Sequence, residues 1–131
     1  MKNIEKYIPI ALRVLEYNET GIVEKGKINK TYNGYISSFG ASIISSGLLP
    51  TLIFYSKKAE GSDSVDRSLI VKAIEKMLKS NDIDFLAGEE KLLEEVITRY
   101  NDYRLKKKIQ ECAIALKLAI RTYPQSERNK S

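Results

Sequence analysis

A nearly charge-free stretch from Tyr32 to Lys58 constrains this chain more than any other part of its sequence. Its two charged side chains, Lys57 and Lys58, stand at its end. The stretch breaks once at Gly47, which fits a helix stop, and Pro50 disfavours helical geometry in the residue before it. With no group suited to acid–base chemistry, it predicts two helices that pack against something. That favours a helical interaction module over an enzyme.

Apolar residues recur at helical spacing along most of the chain, as Ile4, Ile8, Leu12 and Leu15 do near its start. Pro9 is expected to begin or kink this first helix. Strand signals are thin. The pattern predicts an all-α fold, a compact single-domain bundle of about six helices over residues 1–124, with a disordered tail at 125–131. The expected helices cover about 4–15, 32–47, 50–57, 63–78 (capped by Asp63 or Ser64), 89–100 (starting with Glu89 and Glu90) and 102–123. Residues 18–30 are expected to form a loop or a frayed helix end, and residues 59–64 a linker.

The composition removes several classes of function. The chain of 131 residues has no histidine, the commonest general base and metal ligand, and a single cysteine, Cys112. No P-loop, dinucleotide-binding, nucleophile-elbow or metalloprotease motif appears. We therefore expect no catalytic residue, no metal and no cofactor. No apolar run is long enough to span a bilayer and no secretory signal is evident, so a cytoplasmic protein is expected.

Charge is distributed in three blocks. Residues 1–58 carry eight basic and four acidic side chains, residues 59–98 five basic and ten acidic, and residues 99–131 nine basic and three acidic. A basic end can attract phosphate, and an acidic middle can steer a protein neighbour or a second copy of the chain. Simple solubility is the alternative explanation for this arrangement.

The last predicted helix has a narrow apolar stripe that includes Leu105, Ile109 and Cys112, and we expect that stripe in the core. Cys112 then acts as a small buried hydrophobe rather than as a reactive thiol. Ile114 and Leu118 lie on the opposite side, so this helix is either central in a bundle or uses its second side at an interface. Its lysines and arginines are either a solvated face or phosphate contacts.

The order of short motifs resembles the small α-helical subunit family of the type III-B (Cmr) CRISPR effector complex. The resemblance runs along residues 35–37, 43, 46–48, 52–54 and 57, which read Tyr-Ile-Ser, Ile, Ser-Gly-Leu, Leu-Ile-Phe and Lys. It resumes near the end, where Tyr103, Glu111, Ala115-Leu116-Lys117 and Ala119 look like the closing helix of that family.

The resemblance implies a non-catalytic subunit that stacks in a few copies beside the backbone subunits and braces the guide–target RNA duplex. The implied partners are other subunits of the complex and the backbones of guide and target RNA, with no membrane and with self-association left open. We expect phosphate contacts from Lys57, Arg104, Lys108, Lys117 and Arg121, and core or subunit contacts from Leu48, Leu52, Ile114 and Leu118.

Two other functions remain as alternatives. Residues 32–58 could form a helix-turn-helix of a freestanding DNA-binding regulator, with Gly47 in the turn. The second helix, however, would offer the residues PTLIFY, which carry almost nothing polar to read base edges. An enzyme is disfavoured because the chemistry of a site is missing.

Overall fold

Six α-helices and a small three-stranded sheet make up residues 2–17, 20–58 and 65–127, the parts of the chain that the computed structural model describes. The prediction of a mostly helical bundle of about six helices is therefore confirmed. The predicted linker at 59–64, the predicted caps Asp63 and Ser64, and residues 128–131 of the predicted tail lie outside the described residues. In chain order the elements are α1 (Lys2–Tyr17), β1 (Val23–Glu24), β2 (Lys27–Asn29), α2 (Lys30–Ser46), α3 (Leu48–Ser56), α4 (Ser68–Lys79), α5 (Leu92–Arg99), α6 (Tyr103–Ile120) and β3 (Gln125–Ser126).

Helix α6 lies at the centre of the packing, where it contacts α1, α2 and α4. The predicted stripe with Leu105, Ile109 and Cys112 is fully buried, and Ala113 and Ala115 beside it are buried as well. Small side chains on the flanks of the stripe let three helices approach α6 from different sides. None of the helices in the described residues is long and apolar enough to cross a bilayer.

Helix α1 continues from Lys2 to Tyr17 with Pro9 in its interior, so Pro9 does not begin the helix. A proline there removes one backbone hydrogen bond. Pro9 points to solvent, while Ile4, Ala11 and Leu15 are buried on the opposite side. Burial of that apolar face against the rest of the bundle keeps the helix continuous past Pro9.

The corner between α2 and α3 is built on Gly47, as the sequence predicts. Gly47 has φ 102° and ψ 162°, and its N–H donates to the carbonyl of Ile43 at 3.1 Å. The hydroxyl of Thr51 donates to the carbonyl of Gly47 at 2.8 Å and lies 2.6 Å from the hydroxyl of Ser42. Helix α3 begins at Leu48 rather than at Pro50. Pro50 thus stands in its first turn, where a backbone N–H has no partner within the helix anyway.

The small sheet differs from the sequence prediction, which placed a loop at 18–30 and a disordered segment from residue 125. Strands β1 and β2 form an antiparallel pair, and β3 adds to β2 in parallel, with Ile28 beside Gln125. The N–H of Ile28 donates to the carbonyl of Pro124 at 3.0 Å, and the Ile28 side chain is fully buried. A buried isoleucine and pairing to a segment almost 100 residues away order what looks locally like loop.

The acidic segment before α5 also differs from the prediction. Glu89 and Glu90 belong to a turn from Ala87 to Glu90, in which the Glu90 carboxylate accepts a hydrogen bond from the N–H of Ala87 at 2.8 Å. Helix α5 begins at Leu92, whose N–H donates to the Glu75 carboxylate on α4 at 2.6 Å. The prediction of a helix from Glu89 is therefore wrong, because side-chain bonds to the backbone stabilise a turn there instead.

Candidate nucleic-acid interface

The side of α6 that faces away from the core carries both cations and apolar groups. We call this the outer face of α6 and define it as Tyr103, Lys107, Ile114, Lys117, Leu118 and Arg121. Helix α6 starts where the Asp102 side chain accepts hydrogen bonds from the N–H groups of Arg104, at 2.9 Å, and Leu105, at 3.4 Å. The one acidic residue within the helix, Glu111, is buried and accepts hydrogen bonds from the Asn3 amide at 3.4 Å. The outer face therefore carries no acidic side chain.

Two of the four apolar residues assigned to core or subunit contact lie on this outer face. Ile114 is 40% exposed and Leu118 is 39% exposed, one helical turn apart. Leu48 and Leu52 are instead buried, within the α2–α3 corner and the core. Of the four side chains, the structure leaves Ile114 and Leu118 able to reach a partner without rearrangement of the chain.

Lys117 and Arg121 flank this apolar pair at helical spacings of three and four residues. Neither of the two cations forms an ion pair within the described part of the chain. Arg104, near the start of α6, has an 84% exposed side chain whose Nε lies 4.0 Å from an Asp102 oxygen. An exposed contact that long contributes little, so Arg104 is also free to bind an anion.

Lys108 is held within the chain. Its ammonium donates to the Tyr7 hydroxyl at 2.9 Å and lies 5.5 Å from the centre of the Tyr7 ring and 5.9 Å from that of Phe85. The hydrogen bond to Tyr7 is the main reason why the pKa of Lys108 is raised. Lys108 therefore ties α6 to α1, and a phosphate contact from it would compete with this packing.

Lys57 is exposed but is not grouped with the cations of α6. It follows α3, and α3 packs against α2, α4 and α5. The five predicted phosphate contacts thus fall into three places: Lys117 and Arg121 together, Arg104 at the opposite end of the same helix, and Lys57 on another side of the bundle.

Sequence reasoning missed a basic groove between α1 and the end of α4. Lys6 and Arg13 line it from α1, and Lys76 and Lys79 line it from α4. The spacing of Lys6 and Arg13, seven residues apart, places both on one helix face and was a readable signal. The pairing of α1 with α4 is a tertiary contact, so local patterns do not bring the four cations together.

The structure favours neither a reactive thiol at Cys112 nor a helix-turn-helix at the α2–α3 corner. Burial raises the pKa of the Cys112 thiol to about 12, so the thiol stays protonated at neutral pH and is a poor nucleophile. The exposed side chains of α3 include Ile53 and Phe54 and no charged or amide group. Arg67 stacks on the Phe54 ring at 4.2 Å and covers part of it. A recognition helix for base edges is therefore not favoured.

Comparison with known proteins identifies the family. A family model described as CRISPR-associated protein (Cas_Cmr5) matches residues 11–117, from the middle of α1 to the last turn of α6. No curated protein and no solved structure matches the chain. The chain belongs to the Cmr5 family of small subunits of type III-B CRISPR complexes, and is thus a CRISPR-associated subunit that assembles with other Cmr proteins.

Proposed function

We propose that this protein is a non-catalytic subunit that braces the guide–target RNA duplex of a type III-B CRISPR ribonucleoprotein in the cytoplasm. The family match supports the complex, and the outer face of α6 supports the role within it. On that face two cations without ion-pair partners in the described chain, Lys117 and Arg121, flank the exposed Ile114 and Leu118. Such a face can contact phosphate and a neighbouring protein at the same time.

The RNA part of the proposal needs charge and shape rather than base recognition. In RNA-guided complexes base pairing reads the sequence, and the protein holds the backbone of the duplex. Exposed lysine and arginine side chains that release counterions suit this task. Arg104 and Lys57 offer further exposed cations at other positions of the surface.

The protein part of the proposal rests on Ile114 and Leu118, which contact other subunits of the complex or a second copy of the chain. Helix α5 provides a complementary surface, because Glu94 and Ile97 on it and Tyr100 at its C-terminal end are exposed. An acidic and apolar patch can receive a basic and apolar patch of the next copy, which gives a head-to-tail contact.

The test combines purification with charge reversal. The tagged protein should co-purify with guide RNA and sister Cmr subunits, and an eluate without either would contradict the proposal. In particles assembled with Lys117→Glu/Arg121→Glu, we expect the dissociation constant for complementary RNA to rise about tenfold, or about 1.4 kcal/mol.

The matched control is Lys25→Glu/Lys91→Glu, which reverses the same number of charges at exposed positions outside α6. It should leave RNA affinity within about twofold of the original particle. Equal losses in both double variants would mean that net charge, not the outer face of α6, carries the effect. Cleavage of RNA by the isolated protein would contradict the non-catalytic role.

A further inference from the structure

We propose that the groove between α1 and α4 is a binding site for the phosphates of a single-stranded nucleic acid, with Tyr17 as a stacking platform for an unpaired base. The groove is continuous, because two adjoining hollows share Ile10, Arg13 and Asp82. It shares no residue with the outer face of α6. The proposal deepens the proposed function. It rests on that function only for the statement that the natural single strand is RNA.

The groove is basic along its whole length. Lys6 and Arg13 lie about two helical turns apart on α1, or about 10.5 Å along the axis, so successive phosphates can follow them. Lys76 and Lys79 face them from α4, one turn apart. A phosphate chain that enters the groove therefore meets cations on both sides.

The neighbouring acids point elsewhere, with one exception. Glu5 and Glu16 are exposed on α1, but they lie roughly 60° to 100° around the helix from Lys6 and Arg13 and do not line the groove. The Glu75 carboxylate accepts a hydrogen bond from the N–H of Leu92, at the start of α5. Asp82 is the acidic residue that lines the groove.

Asp82 holds Arg13 in a contact that a phosphate can replace. Their charged groups lie 2.6 Å apart, and the side chains are 54% and 60% exposed. An exposed pair of this kind is worth little, whereas an arginine can bind a phosphate with two parallel hydrogen bonds. Asp82 thus competes with the ligand, and its neutralisation should strengthen binding.

The apolar wall favours a single strand over a duplex or an acidic peptide. Tyr17 stands at the edge of the groove beside Ile10 and Val14, and it is 70% exposed. The faces of bases are hidden in a duplex but are available in a single strand, where stacking on an aromatic ring is sequence-tolerant. An acidic peptide would use the cations but has no need of the exposed ring.

The test measures binding of the isolated full chain to a labelled, unstructured oligouridine by fluorescence anisotropy, over a range of salt concentrations. For Lys76→Glu/Lys79→Glu we expect at least about tenfold weaker binding. The slope of log affinity against log salt concentration is negative, and its magnitude should decrease by about 1.4 when two phosphate contacts are lost. The control Lys25→Glu/Lys91→Glu should change the affinity less than about twofold. Equal weakening in both double variants would overturn the proposal.

A gain-of-affinity variant separates the site from effects on folding. Asp82→Asn should bind the oligouridine about three- to tenfold more tightly, because Arg13 is released. Asp84→Asn removes the same charge two residues away, outside the groove, and asparagine tolerates the positive φ of 49° at that position. Equal affinities of the two variants would overturn the proposal even if the lysine variants failed to fold.

One substitution and one competitor decide the class of ligand. Tyr17→Ala should weaken binding of oligouridine about fivefold or more and should leave binding of a blunt RNA duplex unchanged. If polyglutamate displaces the oligouridine at equal charge concentration, the groove binds an acidic protein segment and the single-strand assignment is wrong. Because these measurements use the chain alone, their failure leaves the incorporation test of the proposed function untouched.

Discussion

Cys112 shows how far helical spacing alone identifies the environment of a residue. Its place on the stripe with Leu105 and Ile109 predicted a small buried hydrophobe, and the side chain is fully buried. Burial then decides its chemistry, because a thiolate in the core lacks the hydration that stabilises its charge. The pKa of the thiol rises from 9.0 to about 12.

This shift makes stability depend on pH in a definite direction. The unfolded chain loses the thiol proton near pH 9 and the folded chain near pH 12, so alkali favours unfolding between these values. We expect the free energy of unfolding to fall by about 1 to 2 kcal/mol more between pH 8 and pH 10.5 in the original chain than in Cys112→Ala. Urea unfolding at the two pH values measures this difference, and parallel losses in the two proteins would contradict it.

Lys108 shows where the same reasoning stops. The sequence predicted a phosphate contact for it, and local spacing gave no sign of Tyr7, which is 101 positions away in the sequence. Contacts between distant elements decide whether such a lysine is free or held. The assignment of Lys117 and Arg121 to RNA contact stays a prediction, although the structure keeps both available.

At the scale of elements, the corner between α2 and α3 depends on Gly47 and was predicted from the sequence. A φ of 102° with ψ of 162° is a conformation that side chains other than glycine rarely adopt. A Cβ at this position would meet the nearest atom, Cδ of Pro50, at an ordinary 3.6 Å. The backbone conformation, rather than crowding, therefore requires glycine here.

A pair of identical substitutions tests this point. Gly47→Ala should lower the free energy of unfolding by about 1 to 3 kcal/mol, through backbone strain. Gly34→Ala should raise it by up to about 1 kcal/mol, because Gly34 lies within α2 with open space where a Cβ would stand. Chemical denaturation of both variants measures the two shifts, and shifts of the same sign would contradict the assignment.

The elements that the sequence did not predict share a physical cause. Strands of two or three residues carry too little periodicity to detect, and β3 exists through its parallel pairing with β2. The turn from Ala87 to Glu90 likewise rests on two bonds, one from the N–H of Glu90 to the carbonyl of Ala87 and one from the N–H of Ala87 to the Glu90 carboxylate. Long amphipathic helices were readable because each repeats its signal over several turns, whereas the turn and the small sheet each depend on a few specific bonds.

At the scale of the whole molecule, two of the charge blocks become separate surfaces. The acidic block supplies the exposed Glu94 on α5, and the basic end supplies Lys117 on α6 and Arg121 at the C-terminal end of that helix. Exposed apolar residues accompany both, with Ile97 on α5 and Ile114 on α6. Because the two patches differ, a contact between them joins copies head to tail. One patch of each kind then stays free at the two ends of the resulting oligomer.

This arrangement predicts open-ended association that weakens with salt. In sedimentation velocity at low ionic strength, the average mass should keep rising with protein concentration rather than stop at a dimer, and at 0.5 M salt it should fall toward the monomer, because screening of exposed charges is then strong (Debye length of roughly 4 Å). Glu94→Lys and Lys117→Glu should each reduce association.

A mixture of these two single variants separates a specific contact from a change in net charge. The unchanged patches, α5 of Lys117→Glu and α6 of Glu94→Lys, still fit each other, and the reversed charges at positions 117 and 94 also attract each other. The mixture should therefore regain association that neither variant shows alone. Glu24→Lys, at the exposed position of β1, makes the same charge change as Glu94→Lys away from both patches, and this variant should associate as the original protein does. If the average mass of the original protein levels off at that of a dimer, the contact is symmetric instead. If Glu24→Lys reduces association as much as Glu94→Lys does, overall charge repulsion governs the association.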